Sequence, residues 1–139
     1  MTRVNQCKYL LACIEETLWI YPPSPQPHQR IVPPGGAITN GEHLPECVAV
    51  GISIYAASKS PRNSLQTDSF IPERWTREDP RLDDNKRQVS QPFSFGPRNC
   101  IGRNPAYFKI KIIIARIVWH FDIENATEGD WIDQKVYMV

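Results

Sequence analysis

Apolar residues near the start of the chain recur at the spacing of an amphipathic helix. Leu10, Ile14 and Leu18 lie one helical turn apart, with polar side chains between them. This pattern predicts a helix from Cys7 to Tyr21. Pro22 ends the helix, because a residue that precedes proline is pushed out of the helical region of backbone conformation.

Short strand signals come next, after a proline-rich passage. The segments Arg30–Val32, Ala37–Thr39 and Val48–Val50 are extended candidates. The dipeptide Asn40-Gly41 lies between two of these regions and favours a tight turn. We therefore expect small β hairpins here.

The second half of the chain holds one further long helix. Ile52–Ser58 predicts a helical turn, whereas the polar, proline-containing segment Ser60–Gln91 predicts a meandering loop on the surface. Apolar residues between Tyr107 and Phe121 cover most of a helix circumference, which predicts a helix buried on several sides. Trp131–Tyr137 is a candidate final strand. The fold class is thus mainly α with small β hairpins, an α+β arrangement of two main helices joined by long coil.

Composition and charge restrict the classes of function. The chain has 139 residues, enough for one modest domain with a core. A net charge of +1 provides no basic field for nucleic acid, so no nucleic-acid partner is expected. The most apolar tract is interrupted by charges and is too short to span a membrane.

The four cysteines are Cys7, Cys13, Cys47 and Cys100. None forms a Cys-x-x-Cys pair and no histidine follows at zinc-finger spacing, which argues against a structural zinc site. The N-terminus carries no secretory signal, so we expect a reducing compartment and free thiols.

Unusual turn chemistry surrounds Cys100. This thiol lies where the second long helix is predicted to begin, and a helix N-terminus stabilises a thiolate. Gly96 and Gly102 permit tight turns and the close approach of a flat ligand, and Arg98 offers a cation for an acidic group. By itself, a lone cysteine is more often a small buried apolar residue.

The segment Phe-Ser-Phe-Gly-Pro-Arg-Asn-Cys-Ile-Gly resembles the haem-binding loop of the cytochrome P450 family, the haem-thiolate monooxygenases. All five signature positions match: Phe93, Gly96, Arg98, Cys100 and Gly102. The resemblance implies haem b (iron-protoporphyrin IX) as cofactor and Cys100 as its axial iron ligand. It also implies that Arg98 pairs with a haem propionate and that Phe93 shields the sulfur.

Other segments extend this resemblance along the chain. Phe70–Trp75 resembles the family's Pro-Glu-Arg motif, whose arginine, here Arg74, locks the meander loop. Arg30 matches a position that often meets the second propionate. The amino-acid sequence of these segments is most similar to that of microsomal-type enzymes of filamentous fungi. Residues 1–139 are therefore identified as the C-terminal, haem-binding portion of a P450 domain.

One position departs from the family pattern. The family's Glu-x-x-Arg motif begins here at Glu16, but Trp19 stands where the arginine belongs. In the family, that arginine, the glutamate and the equivalent of Arg74 form a buried charge cluster. Removing one member costs about 3–5 kcal/mol because the remaining charges are under-paired. We therefore expect damage at this cluster, softened if Glu16 pairs directly with Arg74; the alternative is a tolerated variant.

The resemblance implies a monooxygenase that inserts one oxygen atom of dioxygen into a small organic substrate. Electrons would come from an NADPH-dependent reductase. Family members of this type are usually anchored in the endoplasmic reticulum membrane and face the cytosol. The anchor, most of the substrate pocket and the helix over the distal haem face have no counterpart here, and a distal face open to water does not suit oxygen activation. The alternative is a truncated, catalytically inactive remnant or a partial gene model that at most binds haem.

Overall fold

The computed structural model describes residues 2–126 and Gly129. This part of the chain forms five α-helices and four short strands joined by long coil, with 3₁₀ turns at Pro80–Leu82, Arg87–Val89 and Gly96–Arg98. The helices are α1 (Thr2–Gln6), α2 (Lys8–Ile20), α3 (Ile54–Lys59), α4 (Glu73–Thr76) and α5 (Arg103–His120). The strands are β1 (Arg30–Ile31), β2 (Ala37–Thr39), β3 (Glu42–Leu44) and β4 (Ala49–Val50). The predicted strand Trp131–Tyr137 lies outside the described residues.

Helix α2 supplies much of the apolar core. Its bounds agree within one residue at each end with the helix predicted from the apolar spacing, and Ile14, Leu18 and Ile20 are buried. Tyr21 closes the helix by donating its backbone N–H to the Thr17 carbonyl at 2.9 Å. Helices α3 and α4 pack against α2, so the core lies between these three elements.

The strands form two antiparallel pairs. In one, β1 pairs with β4, so that Arg30 lies opposite Val50. In the other, β2 and β3 form a hairpin. Asn40 and Gly41 connect that hairpin with φ angles of +51° and +83°, and the type I′ hairpin turn requires positive φ at both central positions. The predicted hairpin is thus confirmed.

The segment from Ser60 to Gln91 is largely coil at the surface, as its polarity predicts, but part of it is anchored inside. It contains α4, and Ser64, Arg74 and Asn85 are all buried. Asn85 Oδ1 accepts hydrogen bonds from Ser64 Oγ at 2.5 Å and from the Leu65 backbone N–H at 2.8 Å. Polar side chains can therefore lie inside because they satisfy one another.

The prediction that the second long helix is buried on several sides is wrong for the described residues. No residue of α5 is buried, and Val118 and Trp119 are 65% and 84% exposed. The physical reason is that α1 packs along α5 and covers only part of its apolar surface. No helix among residues 2–126 is long and apolar enough to cross a membrane.

Candidate functional site

The loop that precedes α5 folds back on itself. Cys100 donates its backbone N–H to the Phe93 carbonyl at 2.8 Å, and Asn99 donates to the Gly96 carbonyl at 3.0 Å. Ser94 and Gly96 have φ angles of +62° and +80°, which reverse the chain direction twice over a short distance. Glycine adopts this conformation without strain, so Gly96 suits the turn.

The thiol of Cys100 is exposed at the point where α5 begins. Arg103 donates its backbone N–H to the Cys100 carbonyl at 3.2 Å, and Ala106 donates to Gly102 at 2.9 Å. Cys100 therefore lies next to the N-terminus of α5, the end at which backbone N–H groups lack intrahelical acceptors. A Cβ atom at Gly102 would lie 3.6 Å from Cys100 Sγ, so glycine leaves the space beside the sulfur open.

Phe93 and Arg98 occupy different environments in this loop. The half-buried Phe93 ring packs on Tyr107 of α5, with 5.2 Å between ring centroids. Arg98 is exposed at the end of a 3₁₀ turn. Within the part of the chain that the structure describes, its guanidinium forms no hydrogen bond or ion pair, so it is available to an acidic group of a ligand.

Arg30 does not join this cluster through any direct bond among the described residues. Its Nη1 donates to the carbonyls of Gln29 at 3.0 Å and His28 at 3.4 Å. Nη1 of the guanidinium thus lies against the two residues that precede β1, and the N–H groups on Nε and Nη2 are left for a propionate.

A buried ion pair ties α2 to the meander segment. Arg74 Nε donates to Glu16 Oε1 and Oε2 at 3.0 and 3.1 Å, and both residues are fully buried. The remaining four N–H groups of the guanidinium also have acceptors, so all five donors are satisfied. These acceptors are Ser64 Oγ and the carbonyls of Leu65, Gln66 and Ser69.

Glu16 is fully partnered without a second arginine. Its Oε1 accepts from the Ile71 backbone N–H at 2.8 Å, and its Oε2 accepts from Trp75 Nε1 at 2.7 Å. The expectation that the remaining charges are under-paired was therefore wrong, because an indole and a backbone amide supply the missing donors. Trp75 was not singled out as a site residue, although its position next to Arg74 was a signal.

Trp19 is accommodated in the same cluster. It is 1% exposed, and its ring meets Trp75 edge to face at 6.0 Å between centroids. Arg74 Cζ lies 6.0 Å from the Trp19 ring centroid, within range of a cation–π interaction. Trp19 Nε1 is buried without a partner among the described residues. An unsatisfied buried donor costs about 1–3 kcal/mol, which the ring contacts must offset.

The locked meander leads directly into the cysteine loop. Arg87 Nε donates to the carbonyl of Arg74, and the 3₁₀ turn at Arg87–Val89 follows. Ser94 then donates its N–H to the Gln91 carbonyl at 2.9 Å. The segment between the buried ion pair and the cysteine loop is thus short and turns repeatedly, with hydrogen bonds from Arg87, Ser90 and Ser94.

Comparison with known proteins agrees with this arrangement. The family model described as cytochrome P450 matches residues 1–137. The chain belongs to the cytochrome P450 family. It is 49% identical over 97% of its length to the cytochrome P450 monooxygenase hepD of Aspergillus oryzae. It is 42% identical over 95% of its length to averantin hydroxylase of Dothistroma septosporum, and 42% identical over 99% of its length to the cytochrome P450 monooxygenase AMT3 of Alternaria alternata.

The chain spans 27%, 26% and 28% of the length of these three P450 relatives, in the same order. The residues of the P450 loop fit one haem group. They include an accessible thiol at a helix start, an exposed guanidinium two residues earlier and a glycine that keeps the sulfur approachable. This donor set suits a single axial thiolate and one propionate contact.

Proposed function

We propose that this chain is the haem-binding, C-terminal part of a P450 monooxygenase, and that Cys100 is the axial iron ligand. The proposal is supported by the family match and by relatives named as monooxygenases. When bound, the thiolate-ligated haem supplies the activation of dioxygen for insertion of one oxygen atom into an organic substrate.

In this proposal the chain's own residues bind and orient the cofactor. The N-terminus of α5 stabilises the Cys100 thiolate, and the loop hydrogen bonds hold its backbone. Arg98 pairs with one propionate, and Arg30 pairs with the other through its Nε and Nη2 donors while Nη1 stays on its carbonyl partners. The ring of Phe93 covers the sulfur, while Gly96 and Gly102 keep side chains away from the porphyrin plane.

The proposed partners follow from the family rather than from a contact in this chain. They are an NADPH-dependent reductase that delivers electrons and a small organic substrate. The proposed location is the cytosolic face of the endoplasmic reticulum membrane.

The exposed thiol of Cys100 at the start of α5 is the observation that carries this proposal. The test is the absorption spectrum of the purified chain with added haem, reduced and exposed to carbon monoxide. We expect the red-shifted band of a thiolate-ligated ferrous complex, lost in Cys100→Ala and retained in Cys7→Ala, which removes another exposed thiol. A band typical of histidine ligation, or one unchanged in Cys100→Ala, would overturn the assignment.

A second candidate is a chain that binds haem without monooxygenation. The observation that favours it is the exposed apolar surface of α5, which the described residues leave uncovered. Turnover with a P450 reductase, NADPH and a panel of small organic substrates separates the candidates. A product heavier by one oxygen atom supports the monooxygenase. Haem-dependent oxidation of NADPH by the reductase that yields only reduced oxygen species, with no oxygenated product, supports the second candidate.

A further inference from the structure

The side chain of Arg87 lies against the end of α4. Arg87 begins the 3₁₀ turn Arg87–Val89, and only 17% of its side chain is exposed. Its Nε donates a hydrogen bond to the backbone carbonyl of Arg74. The last carbonyls of a helix have no intrahelical donor, and a cationic side chain can supply one. Arg87 therefore pairs with a main-chain group of α4 that the helix itself leaves open.

Arg74 is thus held from two sides. Its guanidinium pairs with Glu16 of α2 at 3.0 Å, while its carbonyl accepts from Arg87. Asp83 is the acidic residue next to Arg87, but its Oδ1 lies 3.8 Å from Nη2 and its side chain is 64% exposed. This Nη2 has no hydrogen-bond partner among the described residues. Because a long ion pair with an exposed carboxylate contributes little, the bond to Arg74 is the specific contact of this cation.

A second contact fixes the same turn from another direction. Lys86 donates its backbone N–H to the Asn63 carbonyl at 2.7 Å, and the Arg87–Val89 turn packs against α3. A turn with one anchor can rotate about it, whereas two anchors on different elements define its position. The turn is thus fixed relative to both α3 and α4.

The cysteine loop begins a few residues after this turn. Ser90 donates its N–H to the Arg87 carbonyl at 3.0 Å, and Phe93 follows three positions later. Three residues span at most about 11 Å, so the position of Ser90 restricts that of Phe93. The Phe93 carbonyl accepts the N–H of Cys100 at 2.8 Å, and its ring packs on Tyr107 of α5. The start of the loop is therefore held by α5 on one side and by a short tether to Arg87 on the other.

We propose that Arg87 is a positioning residue, whose hydrogen bond to the Arg74 carbonyl sets where the cysteine loop begins and thereby the position of Cys100. The importance of that position for haem rests on the proposed function. The hydrogen bond itself joins two parts of this chain, so its effect is measurable without cofactor.

The first experiment is amide hydrogen exchange on the full chain without haem. Arg87→Met retains an unbranched side chain and removes every donor. We expect several-fold faster exchange at residues 88–100, with residues 10–20 of α2 unchanged. Arg87→Lys retains a cation with rotatable N–H donors and should restore part of the protection. Arg81→Met is the matched control, since it removes a guanidinium that is 87% exposed and pairs with Asp79, and we expect no change there.

The spectrum of the reduced carbon monoxide complex with added haem gives a second readout. A loop that begins in several positions presents the sulfur in several geometries. Arg87→Met should therefore lower the fraction of thiolate-ligated complex at equal bound haem, whereas Arg81→Met should not. If Cys100→Ala leaves the band unchanged, the proposed function fails, but hydrogen exchange still decides the role of Arg87.

Three exchange results would overturn the positioning role. The first is unchanged exchange at residues 88–100 in Arg87→Met. The second is an equal rise in α2, which indicates general loss of stability. The third is equal exchange in Arg87→Lys and Arg87→Met, because the donor would then not be what fixes the turn.

Discussion

The indole N–H of Trp75 donates a hydrogen bond of 2.7 Å to Oε2 of Glu16. Glu16 is fully buried, so every donor that reaches its carboxylate offsets the cost of removing the charge from water. In the family pattern an arginine at position 19 contributes to that task. Here Trp19 contributes an aromatic ring that packs on Trp75. The hydrogen bonds to the Glu16 carboxylate come from the Trp75 indole and the Ile71 backbone amide.

Removal of the Trp75 donor should therefore destabilise the chain. We expect Trp75→Phe to lower the free energy of unfolding by about 1.5–3 kcal/mol, the range for a hydrogen bond to a charged group. Urea unfolding followed by circular dichroism measures this value. Trp119→Phe is the control, since Trp119 is 84% exposed and should give little change. Equal effects of the two substitutions would contradict the assigned role of the indole.

A second prediction concerns the coupling between Trp75 and Trp19. Trp19→Arg places a cation beside Glu16, so the carboxylate depends less on the indole donor. We expect Trp75→Phe to cost less in the Trp19→Arg background than in the original chain. The double-mutant cycle measures this difference directly. Strict additivity would show that the two positions do not substitute for one another.

The third prediction concerns the planar guanidinium group of Arg74. Arg74→Lys keeps the charge but loses the planar set of five donors. Several buried carbonyls then lose their partners, each at a cost of about 1–3 kcal/mol. We expect a large drop in the urea midpoint. Arg81→Lys is the matched control, because Arg81 pairs with Asp79 at 2.7 Å but its side chain is 87% exposed. No measurable change is expected there, and a drop as large as that of Arg74→Lys would refute the argument.

The raised pKa of Tyr107 leads us to expect that the stability of the chain depends on pH. Burial, and then hydrogen bonding to Glu15, raises the pKa of Tyr107 well above its usual value. The folded chain thus holds this proton more tightly than the unfolded chain. The resulting stabilisation is complete below about pH 10, the ordinary tyrosine pKa, and is lost as the pH rises towards the folded pKa.

Urea unfolding across alkaline pH checks this sign. Stability should fall above about pH 10, and Tyr107→Phe should make that fall shallower. Tyr9→Phe is the comparison for an exposed tyrosine. The pKa of Tyr9 is also raised, but mainly by the charge of Glu73 rather than by burial. A steeper fall in Tyr107→Phe than in the original chain is incompatible with the prediction.

The exposed surface at the end of α5 predicts self-association. Val118, Trp119 and Phe121 are 65%, 84% and 67% exposed. Contiguous apolar surface promotes association in water. We expect light scattering after size-exclusion chromatography to show a concentration-dependent rise in mass, reduced in the double variant Trp119→Ser, Phe121→Ser. Ile38→Ser removes an equally exposed apolar side chain on the β2–β3 hairpin and should leave the association unchanged.

Local patterns predicted the regular elements well where the cause is local. The apolar spacing of α2, the proline after it and the Asn-Gly turn of the β2–β3 hairpin depend on residues close in sequence. The cysteine loop was also recognisable, since its turn residues and thiol lie within one short segment. The burial of Arg74 was implied by the family resemblance, whereas that of Ser64 and Asn85 was missed, because they pair with each other across the coil.

The sequence by itself determined the family and the two long helices, because these depend on short-range spacing and residue type. Only the tertiary structure decided how Glu16 is satisfied. Its partners Arg74 and Trp75 lie 58 and 59 positions away, and no periodic pattern relates them. Folding also brought Glu15 and Tyr107 into the lining of one cleft. Adjacent side chains on a helix point about 100° apart, so two neighbouring glutamates reach different elements once those elements pack around them.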